Sequence, residues 1–350
     1  MRRLFAFVIV SAFAAFPAAA ETTIKVGWCA KTISAAASPF AIAKKYGWFA
    51  ERGLNVVVVP LAGATDCVKQ VATGDLPYTA PSIEPLVIIH PQGVKARMFY
   101  LSYQSFTYGI AVPADSPIKT FADLKGKTVG VISMDSGGVV VARAQVAAAG
   151  LNPDRDIHIV VAGEGASTAA LLRNKQIDAL SQFDVQYAMI ENAGVKLRQF
   201  DVGEMAPFPG NGFVAKDETL RDHRAEAVAL AQGWAMGQVF ALANPEAAVR
   251  IHWEIYPQSR PTGKDEATAL RDDTKVLQAR MAHWLLESGG VTRWGESNIK
   301  NFDAYIAFLS KWKIVPVQVP ASEIVTNDLI ADINKFDTAA IVKLAGEYKP

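Results

Sequence analysis

The chain has 350 residues, 51% of them apolar, with 35 Lys and Arg against 34 Asp and Glu and a formal net charge of +1. That balance removes the electrostatic case for a nucleic-acid partner, and the apolar share supplies material for large cores. Once a removable N-terminal signal is subtracted, about 330 residues remain, more than one ordinary domain holds and enough for two.

Met1-Arg2-Arg3 is a short basic start, Leu4 to Phe16 is almost wholly apolar, and Ala18-Ala19-Ala20 puts small residues before Glu21. This is the pattern of a cleaved secretion signal over residues 1–20. Its apolar run is shorter than the ~20 residues of a bilayer span, and no later stretch qualifies, so the mature protein is expected in the periplasm and not in the membrane. No cysteine follows the cleavage site, which argues against a lipid anchor there. Cleavage removes Arg2 and Arg3 and leaves 33 basic residues against 34 acidic ones.

Ile24 to Trp28 reads as a strand, and Pro39 to Tyr46 as a helix with proline in its permitted first turn. Leu54 to Val59 is a β-branched run suited to a buried parallel strand. The Gly63-Ala64-Thr65-Asp66 loop opens a helix to Thr73, and a short strand follows near Leu76 to Ala80. A second series starts with strands at Phe106 to Val112 and Thr128 to Ile132, and the turn Ser133 to Gly138 leads into a helix over Val139 to Ala149. Strands at Ile157 to Val161 and Ala179-Leu180 flank a helix over Ser167 to Arg173, and Asn211 to Lys216 reads as a return strand. From Asp217 onward the composition is helical, with one long segment through Leu242 and others after Asn244, Lys264 and Asn298. Alternation of this kind indicates βαβ units with right-handed crossovers.

The order and spacing of several segments resemble the periplasmic binding proteins of ABC importers for taurine, alkanesulfonates, nitrate and thiamine precursors (SsuA/THI5-like). The segments are Pro39 to Phe49, Glu51 to Val59, Ala72-Thr73-Gly74, Ala122 to Val131, Leu171 to Ala179 and Asn244 to Ala248. The resemblance implies an α/β fold of the periplasmic binding protein type II kind, with two lobes, each a mostly parallel sheet flanked by helices. Lobe 1 is expected over 21–105 and 211–350, including the C-terminal helices, and lobe 2 over 106–210. It further implies a monomer that closes on a small-molecule ligand and delivers it to an ABC permease and its ATPase.

Ligands of open α/β sheets bind beyond the carboxyl ends of the strands, which selects the candidate residues. Trp28 ends the first strand as a surface for an apolar or ring-shaped body, and Lys31 and Thr32 follow it. Gly63 and Thr65 stand after the second strand, and Thr79, Ser82 and Glu84 after the third, where Glu84 could accept from an amine. Ser133, Met134, Asp135, Ser136 and Gly137 form a turn at a helix start, a natural anion cradle unless its own side chains cap it. Phe183 and Asp184 stand where the resembled family often has Trp-Glu, with Val185 in place of its proline. Cys29 and Cys67 lie just beyond neighbouring strands and are candidates for one disulfide in an oxidising compartment.

A small organic anion, such as a sulfonate or aromatic carboxylate, is the expected ligand. A nitrogen heterocycle of the pyrimidine type, or a sensor role on the same fold, is the alternative. An enzyme of thiamine-pyrimidine synthesis is disfavoured, because His90, His158, His223, His252 and His283 fall outside the expected cleft loops. No metal-spaced cluster, nucleophile elbow or phosphate loop stands in the sequence, so neither cofactor nor catalysis is expected.

Overall fold

The structure is a computed structural model that describes residues 21–315 and 317–350. The secretion signal expected over 1–20 lies outside the described residues.

The first sheet begins with β1 (Thr22–Trp28), which leads through α1 (Ser38–Lys45) to β2 (Leu54–Pro60). Gly53, at φ +70°, supplies the left-handed turn into β2. α2 (Ala64–Thr73), β3 (Tyr78–Thr79), α3 (Glu84–Ile89) and β4 (Ala96–Leu101) follow. The chain then crosses to a second sheet made of β5 (Tyr108–Pro113), β6 (Lys127–Val131), β7 (Ile157–Val161), β8 (Ala179–Phe183) and β9 (Leu197–Gln199). Its helices are α4 (Gly137–Ala148), α5 (Ala166–Arg173) and α6 (Asp184–Asn192). The return strand β10 (Gly212–Lys216) rejoins the first sheet and opens the helical C-terminal half: α7 (Asp217–Asp222), α8 (Arg224–Ala243), α9 (Pro245–Ile255), α10 (Glu266–Met281), α11 (Leu286–Gly289) and α12 (Ile299–Lys311).

Strand order is β2-β1-β3-β10-β4 in the first sheet and β7-β6-β8-β5-β9 in the second. β10 runs antiparallel to both its neighbours, and so does β5, so each sheet is parallel apart from one reversed strand. The β-branched run in β2 suggested a strand buried on both faces. It lies instead at the sheet edge, and Val57 is 39% exposed. A run of valines serves an edge as well as a centre, so composition alone does not separate them. β4 carries no alternation distinct enough to register in the sequence; Met98 to Leu101 are buried on both faces.

The largest core joins the first sheet to α1, α8 and α9. Phe40, Phe213 and Trp234 meet with ring centroids 4.5–6.0 Å apart, and Trp28 reaches Trp234 at 6.3 Å. α8 approaches α1 closely because it presents Gly233 to Phe49 and Gly237 to the backbone of Pro39.

A Cβ added at Gly237 would stand 2.5 Å from Pro39 backbone atoms, with no flexible side chain to yield. We expect Gly237→Ala to lower unfolding free energy by about 1–3 kcal/mol in urea titrations. Gly346→Ala, at the end of the closing helix Thr338–Gly346 where nothing lies within 4 Å, is the control and should be neutral or stabilising.

Candidate functional site

The carboxyl ends of β1, β2 and β3 meet those of β6, β7 and β8 between the lobes. Ser133 Oγ donates to the Ala62 carbonyl at 2.7 Å, and the Thr65 amide donates to the Asp135 carbonyl at 3.0 Å. The Lys31 amide donates to Glu164 Oε1 at 3.1 Å. Gly63 is indispensable to this contact, since a Cβ there would meet Asp135 O at 2.5 Å.

Between these contacts and the crossing segments lies a cavity of about 30 Å³. That volume holds one or two waters and no organic solute. Trp28, Tyr103, Tyr108 and Phe183 supply its aromatic walls, and Thr32, Thr107, Gln186, Asn211 and Arg280 its polar ones.

Arg280 is the charged side chain of that lining and is only 4% exposed. Its Nη2 donates to Asp184 Oδ1 at 2.5 Å, and its guanidinium lies 4.0 Å from the Tyr103 ring centroid and 5.5 Å from that of Phe183. Asp184 opens α6, where the helix dipole favours a carboxylate. It stands behind Arg280 and does not itself line the cavity. His283, just past α10, places Nε2 3.9 Å from Asp184 Oδ2 and Nδ1 2.8 Å from Ser105 Oγ. Burial lowers the His283 pKa against the opposing pull of Asp184.

The loop after β1 is tied at three points. Cys29 and Cys67 form a disulfide with Cα atoms 5.8 Å apart. The Trp28 indole N–H donates to the Thr32 carbonyl at 3.0 Å, and His252 Nε2 lies 3.1 Å from the Ile33 carbonyl. A carbonyl only accepts, so that imidazole nitrogen carries the proton. Complete burial pushes the His252 pKa down to about 4, only partly offset by this hydrogen bond.

Of the residues selected from sequence, Trp28, Thr32 and Phe183 line the cavity. Lys31 is exposed and contributes only its backbone amide. The turn 133–137 is spent on contacts: Ser136 Oγ caps the Gly138 amide at 3.1 Å, Ser133 holds Ala62, and Gly137 fits against Ser82 and Tyr108. Met134 is 58% exposed, and Asp135 lies 3.8 Å from Lys69 at the rim. Thr79 and Ser82 are buried outside the lining. Glu84, expected to face the cleft, is instead 1% exposed and accepts from the Tyr305 hydroxyl, a partner more than 200 positions away that no local pattern could announce. Burial raises its carboxyl pKa despite opposing hydroxyls from Ser82 and Tyr305.

Sequence reasoning missed Tyr103, Thr107, Gln186, Asn211 and Arg280. One signal was available for Arg280: it stands three and four positions after the buried Leu277 and Val276, a charge on the apolar stripe of a helix.

The arrangement of two sheets meeting at their strand ends has known counterparts. A family model described as NMT1/THI5 like matches residues 35–248. The chain belongs to the NMT1/THI5-like family. Among solved structures, the alkanesulfonate-binding protein SsuA from Xanthomonas axonopodis, bound to MOPS, superposes with TM-score 0.65 at 17% identity over 88% of this chain and 99% of that one. The periplasmic nitrate-binding protein NrtA from Synechocystis does so with TM-score 0.56 at 15% identity, over 94% and 97%. The riboflavin-binding protein RibY from Chloroflexus aurantiacus is 19% identical over 250 residues, 71% of this chain and 69% of that protein. The fold is therefore that of periplasmic binding proteins, and the solved neighbours are mostly substrate-binding proteins of transport systems. No helix among the described residues is long and apolar enough to cross a membrane.

Reduction of the disulfide frees a loop with a sequence separation of 38, for which chain entropy gives about 3–4 kcal/mol. Thermal and urea unfolding with and without reductant should show a loss of that order, and a Cys29→Ser/Cys67→Ser double variant should show it without reductant. The buried His252 sets a pH dependence of definite sign. Its folded pKa lies below the ordinary 6.5, so its contribution is complete above pH 6.5 and is lost as pH falls toward 4. The loss is about 3 kcal/mol, read as the difference between wild type and His252→Phe in unfolding curves across that window.

Proposed function

We propose that the chain is an exported solute-binding protein that captures a small organic solute by lobe closure and presents it to an ABC permease and its ATPase. The observation that carries this reading is the cavity between the two strand-end surfaces, walled by Trp28, Tyr103, Tyr108 and Phe183. Aromatic faces on opposite lobes sandwich a ring or apolar body only when the lobes meet, so the solute favours the closed state by its differential affinity. Export is supported by the N-terminal pattern of residues 1–20 and by the disulfide, which persists in an oxidising compartment. Binding without catalysis is supported by the likeness to transport proteins.

The test is a thermal-shift screen of the oxidised mature protein against sulfonates, nitrate, aromatic acids, amides and pyrimidines. A ligand at 100 times its dissociation constant adds about 2.7 kcal/mol to stability. A Trp28→Ala substitution should weaken the hit at least tenfold in calorimetry, and vesicles containing the partner permease and ATPase should import it only when the protein is present. A flat screen, or a hit indifferent to Trp28, sinks the reading. Binding without import points to the sensor alternative.

A further inference from the structure

We propose that Asp184 sets the charge of the solute: by neutralising Arg280 in the cleft it makes the site select an uncharged planar molecule with a hydrogen-bonding edge and reject anions. This rests on solute capture between the lobes.

The lining offers one cation, Arg280, and that cation is already matched. Its Nη2 meets Asp184 Oδ1 at 2.5 Å, with side-chain exposures of 5% and 7%. In a desolvated cleft an added carboxylate or sulfonate would face a pair of zero net charge and would lose its hydration without a counter-ion. The second anion-binding device, the turn 133–137, is also committed. Its Gly138 amide is capped by Ser136, and its Ser133 hydroxyl donates to Ala62. Lys31 and Lys69 lie outside the lining, and His283 faces Asp184 instead of the cavity. Glu84, on Tyr305, is likewise outside it.

What the cleft does offer suits an uncharged ring. Arg280 Nε is buried and has no partner, which leaves a donor for a carbonyl or ring nitrogen. Thr32, Thr107, Gln186 and Asn211 add polar groups to the same lining. Trp28 stands across from Phe183 and Tyr108, and Tyr103 already stacks on the guanidinium. The pairing holds Arg280 in one orientation, so Asp184 is a positioning residue as well as a charge-setter: it touches Arg280 and not the cavity.

The experiment compares matched probes by calorimetry: uracil against orotate, and benzamide against benzoate, on wild type, Asp184→Asn and the double variant Asp184→Asn/Arg280→Gln. Wild type should bind the uncharged member of a pair at least tenfold tighter. Asp184→Asn leaves one uncompensated cation and should move the anion-to-neutral ratio at least tenfold toward the anion. The double variant removes both charges, keeps the cleft folded if the single variant does not, and should lose that shift. Wild type binding orotate or benzoate as tightly as its uncharged partner overturns the proposal. So does a ratio unchanged in Asp184→Asn, or an anion gain that survives in the double variant. If wild type binds none of the four, anion binding gained by Asp184→Asn supports the proposal and its absence overturns it. Failure of solute capture itself reads differently, as a wild type unresponsive to the whole broad screen.

Discussion

The Asp184–Arg280 contact governs the seam between α6 and α10. Two charges almost wholly removed from water are tolerable only as a pair, and stripping one from the other in such a place costs about 3–5 kcal/mol. The pair therefore fixes how far α6 stands from α10, and with that the spacing of Phe183 and Tyr103, the rings on either side of the guanidinium. Asn192, which donates to the Asp272 carbonyl, and Lys275, which pairs with Glu191, extend the same seam toward solvent. The exposed Lys275–Glu191 pair is a weak contributor beside the buried one.

Across the cavity the lobes touch by a different device, backbone against backbone. Gly63 and Gly137 let the turn after β6 press into the loop after β2 and against Ser82 and Tyr108. The Ser133 hydroxyl and the Thr65 amide find partners on the opposite lobe, and bonds of this kind exchange for water at little net cost. One seam is thus strong and ionic, the other made of exchangeable hydrogen bonds.

Much of the fold was legible because its signals are local. Val26 and Val129 sit in apolar runs suited to buried strands, and Gly53 and Gly74 mark turns at positive φ. That each sheet is mostly parallel followed from the family resemblance, whereas only the pairing identifies β5 and β10 as the reversed strands. The site was less legible because its contacts are not local. Trp28 and Phe183 end strands and could be placed, whereas Glu84 finds Tyr305 across 221 positions and Asp184 finds Arg280 across 96. The turn 133–137 has the composition of an anion site, and only its neighbours Ala62 and Ser82 reveal that its groups are already engaged.

Arg280 lies beyond residues 35–248, the span that the family model matches. The strand-end geometry of a cleft and the charge inside it are therefore encoded in different parts of the chain: the sheets and their loops in the shared region, the counter-ion of Asp184 in a C-terminal helix. Arg280 reaches the cavity from α10, which contributes no strand, and meets Asp184, Tyr103 and Phe183 there. Strand-end loops set where a solute can sit, while the side chains that reach the cavity set what it meets there, so the ligand of a member must be read from the residues of its own cleft.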